Sequence, residues 1–500
     1  MVIPKHIYII LIVTIIMFLL TLKFSGNASS SEVKTVWTAN LPYESWMNAN
    51  MMGVKVGYLY IKVDRAKYND QDVLRVDSGM FTEINRFGVS IKLTKTKLFY
   101  IKEDLTPLYF LSKSNETGQE KIVEGTVKNG IVQIKTTLEG KTTEKYQKLP
   151  SDAIFAEAIE DFTIRKGLKV GNKFNIKAFS LDLYDIININ AEVVSKDKIN
   201  YNGQQKEVYA VDYTMDIMGG IKTREWMTED AEVYKMETAS LGMTFIKVNK
   251  QEALGEVGQF DIVLKTNVQL IGEKPIPGIS HFKVNVSLPD GDILKTFVNN
   301  DRQKVTIKGN KNEGTITITL KDVDENTAIP LPVKDEKLSQ YLKPSIYVQS
   351  DDPEIISKAK EIVGSEKNSW IASMKICRWV YENMKNKNYK VGFGTAKQAL
   401  KELQGDCSEH TVLFIGLARA LGIPSRIATG LVYHKDAFYY HFWPEVYIGR
   451  WVSMEPTLGQ IQADASHIQF SSIQVETESN LELGEGVVRT LNRLIIERIE

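Results

Sequence analysis

Residues 405–426, "GDCSEHTVLFIGLARALGIPSR", decide how the C-terminal part of the chain is read. Asp406 and Glu409 are spaced as the N-cap and third residue of a helix, the reciprocal capping pattern. Leu413, Gly416, Leu417, Ala420 and Leu421 mark its buried face, and Gly422 and Pro424 stand where helices stop. Cys407, one of only two cysteines in the chain, then takes the first helical position. Backbone N–H groups there lack helical partners, and their field favours thiolate over thiol. A cysteine so placed, with a histidine nearby, can fall from about 8.5 to roughly 3.5–7.5. Cys377 differs. It lies mid-helix on a stripe with Trp370, Met374, Tyr381 and Met384 and reads as a small core hydrophobe.

A nucleophile needs a base, and the base needs a group that orients it. Residues 437–457, "AFYYHFWPEVYIGRWVSMEPT", read as two strands about a Gly449-Arg450 turn. His441 on the first strand is the candidate base. Glu455 after the second is the candidate carboxylate that fixes its tautomer and stabilises the imidazolium. A two-residue turn would put Glu455 on the face opposite His441, so a bulge, or a break at Pro444, is expected here. Two other readings of Cys407 stay open. One is a structural thiol. The other is a metal half-site, Cys407-x-x-His410, completed by His434 or His441, although no second cysteine pair supplies the usual thiolates. His410 reads as a first-turn packing residue, and Trp443 as sheet packing or a cleft wall. Arg419 and Arg426 read as structural. His6, His281 and His467 have no context that lifts them above surface residues.

The blocks "GDCSEH", "ARALGIPSRIATG" and "HFWPEVYIGRWVSMEPT" together resemble the transglutaminase-like superfamily over residues 345–470, about a quarter of the chain. The resemblance implies a papain-like α+β core with Cys407 as nucleophile, His441 as general base and Glu455 as the acidic third member. The family most often has Asp before Pro-Thr where this chain has Glu455. The backbone N–H of Cys407 would be one oxyanion donor. The Gln that precedes the cysteine in eukaryotic members is Asp406 here, which leaves a side-chain donor unassigned. The implied activity is attack on an amide bond through a thioester, with protein or peptide as substrate and no cofactor or metal. Water resolving the thioester gives a protease or amidase, and an amine gives a transglutaminase; the resemblance leans toward hydrolysis. A non-catalytic surface-binding protein with a degenerate papain-like domain is the alternative, and the intact Cys/His/acid set argues against it.

The remaining chain reads as α+β in several parts. Residues 7–22 form an unbroken, mostly apolar run between Lys5 and Lys23. As a helix it spans about 24 Å, and it exceeds the usual signal-peptide core of about 7–15 residues. Residues 1–25 are therefore expected to be a retained signal-anchor or transmembrane helix, with a cleaved signal as the alternative. Residues 33–270 read as an antiparallel β-rich domain, possibly two subdomains, with turns at "VKNG" and "YNGQQ" and no evident chemistry. After "GEKPIPG", residues 275–345 alternate as a small β module, 346–475 carry the catalytic pattern, and 484–500 read as an amphipathic docking helix through Val488, Leu491, Ile495 and Ile499. Hydrophobic content of 43% is globular, and 62 basic residues balance 62 acidic ones. That balance gives no electrostatic case for nucleic acid.

Overall fold

The structure is a computed structural model describing Trp37 and residues 41–116, 119–217, 220–385, 394–474 and 481–500. The expected membrane helix at residues 1–25 lies outside these. Among the described residues no helix is long and apolar enough to cross a membrane. The chain is α+β and divides into two compact units, with the boundary between Asp261 and Ile262.

The first unit is one sheet of fifteen strands rather than two subdomains. Successive hairpins run outward from Tyr43–Met51 to Lys141–Lys148. The chain then restarts at the opposite edge with Ile154–Phe155 and walks back strand by strand to Met243–Val248, which pairs with the first strand. The turns follow local chemistry: Asn129-Gly130 and Asn202-Gly203 each place two residues at positive φ, as tight hairpins require. A helix, Ile159–Lys166, is buried along its length as far as Ile164. The Thr163 and Tyr213 hydroxyls, 3.1 Å apart, tie it to the sheet.

One strand of this sheet, Val89–Ile101, breaks the apolar alternation by burying Lys95 and Lys97. Lys97 donates to Glu157 at 2.9 Å, and both lysines reach Asp182 at 2.6 Å. Two cations are thereby matched by two carboxylates, the condition under which buried charge is tolerated.

The second unit starts earlier than "GEKPIPG" implies. Val268 already exchanges backbone hydrogen bonds with Phe438, and Leu270 pairs with Ile496. The β module at 275–345 is therefore part of this unit. His281–Ser287, Gln303–Lys308 and Asn310–Thr319 form a five-stranded sheet with Leu270–Ile271 and Ile495–Arg498. The docking helix expected at 484–500 is corrected accordingly. The helix spans Leu481–Thr490, Asn492 turns with φ 57°, and Ile495–Arg498 is a strand. Ile496 is buried while Ile495 and Ile499 are about half exposed, a period of two that the helical reading missed.

The unit also contains a cluster of helices around Cys407–Ala420 and a four-stranded sheet. The sheet order is Trp451–Ser453, Ala437–Tyr447, Ser425–His434, His467–Ile473. Helix Cys407–Ala420 is buried from Cys407 through Arg419. It packs against helices Pro353–Val363, Ser369–Asn383 and Ala396–Glu402 and against the strand Ala437–Tyr447. On Ser369–Asn383 the buried stripe is Trp370, Ser373, Cys377 and Val380. Tyr381, expected inside, is exposed. Ser373 takes the inward place because its hydroxyl is satisfied by the Ser369 carbonyl at 2.7 Å.

Candidate active site

The Cys407 helix begins as its sequence requires. The Asp406 side chain accepts from Ser408 N at 2.9 Å, and Glu409 returns to accept from Asp406 N at 2.9 Å. Glu409 also accepts from Gly394 N at 2.7 Å, which pins the preceding segment. Cys407 is the first helical residue and is 1% exposed. Its helix is tied to the neighbouring strand where Thr411 Oγ1 donates to the Phe442 carbonyl at 3.3 Å, one residue from His441.

His441 and Glu455 meet, with Nε2 to Oε2 at 2.6 Å and both side chains wholly buried. The turn makes this contact possible, and it is not the two-residue turn expected from sequence. Tyr447 pairs with Trp451 and Glu445 with Ser453, so Ile448, Gly449 and Arg450 form a three-residue connection with Gly449 at φ 109°. The added residue reverses the parity of the second strand. Residues 441, 443 and 445 then share a face with 453 and 455, as the 3.2 Å bond from Ser453 Oγ to Glu445 confirms. After Met454 the chain leaves the ladder, and Glu455 and Gln460 exchange two backbone bonds of 3.0 Å. Inside that loop Thr457 N and Leu458 N donate to Glu455 Oε1 at 2.8 and 3.1 Å.

Glu455 Oε2 is shared. His467 Nε2 lies 3.0 Å from it, and His467 Nδ1 lies 3.2 Å from Asp464 Oδ1. Burial would raise Glu455, but the two imidazoles, His441 foremost, outweigh it and hold the carboxyl well below its ordinary range. His467 is raised: burial opposes its charge, and Asp464 and then Glu455 more than compensate. Sequence reasoning missed His467 and Asp464. The usable signal was the Asp-x-x-His spacing of "DASH" at the start of a strand. Long-range pairing of Val432 with His467 brings that strand into the site.

Trp443 closes one side, wholly buried, its ring 6.0 Å from His441 and 5.2 Å edge-on from His467. Gly430 lies opposite His441 in the ladder, and a Cβ there would come within 2.7 Å of the Trp443 ring. Cys377 packs behind the Glu455 loop, its Sγ 3.6 Å from the Gln460 carbonyl, and burial pushes its thiol up to about 12. Arg426 pairs with Glu445 at 2.8 Å and stacks over Trp451 at 3.9 Å. Arg419 donates to the Ser425 and Lys343 carbonyls.

The expected depression of Cys407 is not what the resting site gives. Burial pushes its thiol well above its ordinary value, Asp406, Glu409 and Glu455 add to that, and only the Phe442 backbone amide opposes. The helix start favours the anion, yet loss of water outweighs it, and the resting sulfur carries its proton.

The metal half-site does not assemble as spaced. His410 spends its ring nitrogens on the carbonyls of Asp406, at 2.6 Å, and Met384, at 3.2 Å. His434 sits at the far end of its strand beside the 435–436 turn. Among the described residues, His441, Glu455 and His467 are close enough to share an ion. Both histidines already bond to one Glu455 oxygen, so an ion would have to displace two hydrogen bonds.

Residues 356–456 match the family model of the transglutaminase-like superfamily, a span that runs from within helix Pro353–Val363 to the residue after Glu455. This part of the chain is a transglutaminase-like domain. No curated protein matches the sequence. Solved structures similar to the chain include a candidate cysteine protease from Cytophaga hutchinsonii, with 17% identity and TM-score 0.29 over 44% of this chain and 90% of that one. A β-barrel-like protein of a domain of unknown function from Brucella abortus has 9% identity and TM-score 0.31, over 44% and 96%. A candidate protease from Parabacteroides distasonis has 12% identity and TM-score 0.21, over 72% and 69%. Cys407, His441 and Glu455 all lie within the matched span.

Proposed function

We propose that the transglutaminase-like domain is a cysteine acyl-transfer enzyme acting on amide bonds of a protein or peptide. The observation that carries this reading is the buried 2.6 Å contact between His441 and Glu455, on the strand tied to the Cys407 helix. Glu455 holds Nε2, which leaves Nδ1 as the proton-accepting atom of His441. The Cys407 proton passes to that nitrogen as sulfur attacks the carbonyl carbon. The tetrahedral oxygen is met by the Cys407 backbone N–H, one of the donors a helix start leaves without a helical partner. The C–N bond then breaks, the His441 proton goes to the leaving amine, and a thioester remains. Water, deprotonated by His441, releases the acid and restores the thiol. Hydrolysis is the favoured outcome, and transfer to an amine differs only in the second nucleophile. The apolar run at residues 7–22 supports an exported, membrane-anchored placement for this chemistry.

The test is peptide profiling of wild type against Cys407→Ala, with and without a primary amine. Cleavage lost in the variant supports hydrolysis, and an amine-dependent conjugate lost in it supports transfer. Equal product from wild type and variant would sink the enzyme reading.

A further inference from the structure

Glu455 has one more rotatable bond than an aspartate would, so more is needed to hold its carboxylate in one orientation. Its Oε1 accepts from the Thr457 and Leu458 amides, and its Oε2 serves both His441 and His467. An ionised carboxylate only accepts, so each imidazole donates to it. His467 is wholly buried, and its other nitrogen, Nδ1, lies 3.2 Å from Asp464 Oδ1. An imidazole that only filled space here would cost more to bury than an apolar side chain of similar bulk.

Asp464 is held as firmly as Glu455. Its Oδ1 also accepts from Ser466 N at 3.0 Å and Ser466 Oγ at 2.5 Å. Its Oδ2 accepts from Gln460 Nε2 at 2.8 Å and Gly278 N at 2.9 Å. Gln460 Oε1 accepts from Asp464 N at 3.0 Å, and the Gln460 backbone exchanges two bonds with Glu455. The bonds thus close a ring through Glu455, His467, Asp464 and Gln460. Arg302, from the small β module, braces it by donating to the His467 carbonyl at 2.8 Å and to the Asp464 carbonyl. The bond from Glu455 Oε2 to His441 leads out of this ring to the strand tied to the Cys407 helix.

We propose that His467 is a positioning residue for the thiol chemistry: seated against Asp464, it fixes the plane of the Glu455 carboxylate and so the orientation of His441. The proposal rests on the reading of Cys407 and His441 as nucleophile and base.

The test compares wild type, His467→Gln and Asp464→Asn by peptide hydrolysis and by the low-field proton NMR signal of the His441–Glu455 bond, identified by its loss in His441→Ala. In each folded variant kcat should fall about ten- to a hundredfold while KM stays within about twofold, and the signal should shift or broaden. A merely structural histidine would lower the unfolding temperature and leave kcat per folded molecule and the proton signal unchanged, which overturns the proposal. Should His467→Gln fail to fold, Asp464→Asn, which keeps the imidazole and removes the charge that seats it, decides by the same readouts. A wild type without activity on peptides would sink the enzyme reading, and the proton signal then decides the positioning role alone: unmoved in a folded variant, it overturns that role.

Discussion

His467 Nε2 stands 3.0 Å from the Glu455 oxygen that His441 also reaches, while its Nδ1 faces Asp464 at 3.2 Å. An imidazole between two carboxylates is held as a cation, since each ring nitrogen must donate. Its charge offsets that of Glu455, which also orients His441 through the 2.6 Å contact.

Removing His467 should therefore change pH behaviour as well as rate. His467 is raised above 6.5. Its contribution to stability is complete below that pH and is lost as pH rises through the raised folded value. Glu455 and Asp464 are depressed, so theirs is present above 4.5 and 3.8 respectively and is lost in acid. His467→Gln should cost about 1.5–3 kcal/mol near neutral pH and flatten the alkaline fall in stability. Denaturant unfolding of both proteins from acid to alkaline pH reads this directly. Parallel curves would deny the cation.

Glu455 spends one oxygen on two imidazoles and the other on two backbone amides, so its length is set at both ends. Glu455→Gln should lower kcat by about two to four orders of magnitude, in line with loss of a triad carboxylate. Glu455→Asp, although it restores the commoner residue of the family, should rescue only part. Peptide hydrolysis rates decide, and full activity in Glu455→Asp would show that the turn amides do not fix the carboxylate.

Both thiols are buried and raised, so reactivity should separate them by neighbour rather than by exposure. An alkylating probe should modify Cys407 faster than Cys377, because only Cys407 lies beside a strand that carries a base. His441→Ala should slow Cys407 at least tenfold and leave Cys377 unchanged. Mass spectrometry of timed samples gives both rates, and equal slowing of the two would point to general opening of the fold.

The turn prediction is the sharpest. Deleting Gly449 shortens the connection to two residues and rotates Glu455 to the far face of the sheet. The low-field proton NMR signal expected from the His441–Glu455 bond should vanish, and activity with it, while the Ser425–His434 pairing persists. Retention of that signal would mean that the loop after Met454, not the turn, aims the carboxylate.

The sequence made the Cys407 helix legible because its signals are local: cap, capping partner, apolar face and stop lie within twenty or so residues. His441 and Glu455 were legible as members of a pattern, but not their geometry. Strand parity depends on one residue in the 448–450 connection, and no periodicity distinguishes two from three. His467 stayed hidden because its strand is carried into the site by pairing with the distant strand Ser425–His434, which no local pattern reveals. The final strand was read as helix because Val488, Leu491, Ile495 and Ile499 continue a helical spacing across the Asn492 turn. The buried lysines of the β-rich unit were similarly invisible, since an alternating strand marks them inward only once its register is known.

That final strand also bears on how the protein is made. Ile495–Arg498 lies between Leu270–Ile271 and His281–Ser287, so a sheet begun near residue 270 waits for more than two hundred further residues to be translated. At about 5–20 residues per second, its edge stays open for roughly ten seconds or more on the ribosome. A chain ended by premature termination before residue 495 would carry that open edge permanently, offering it to other chains and to proteases.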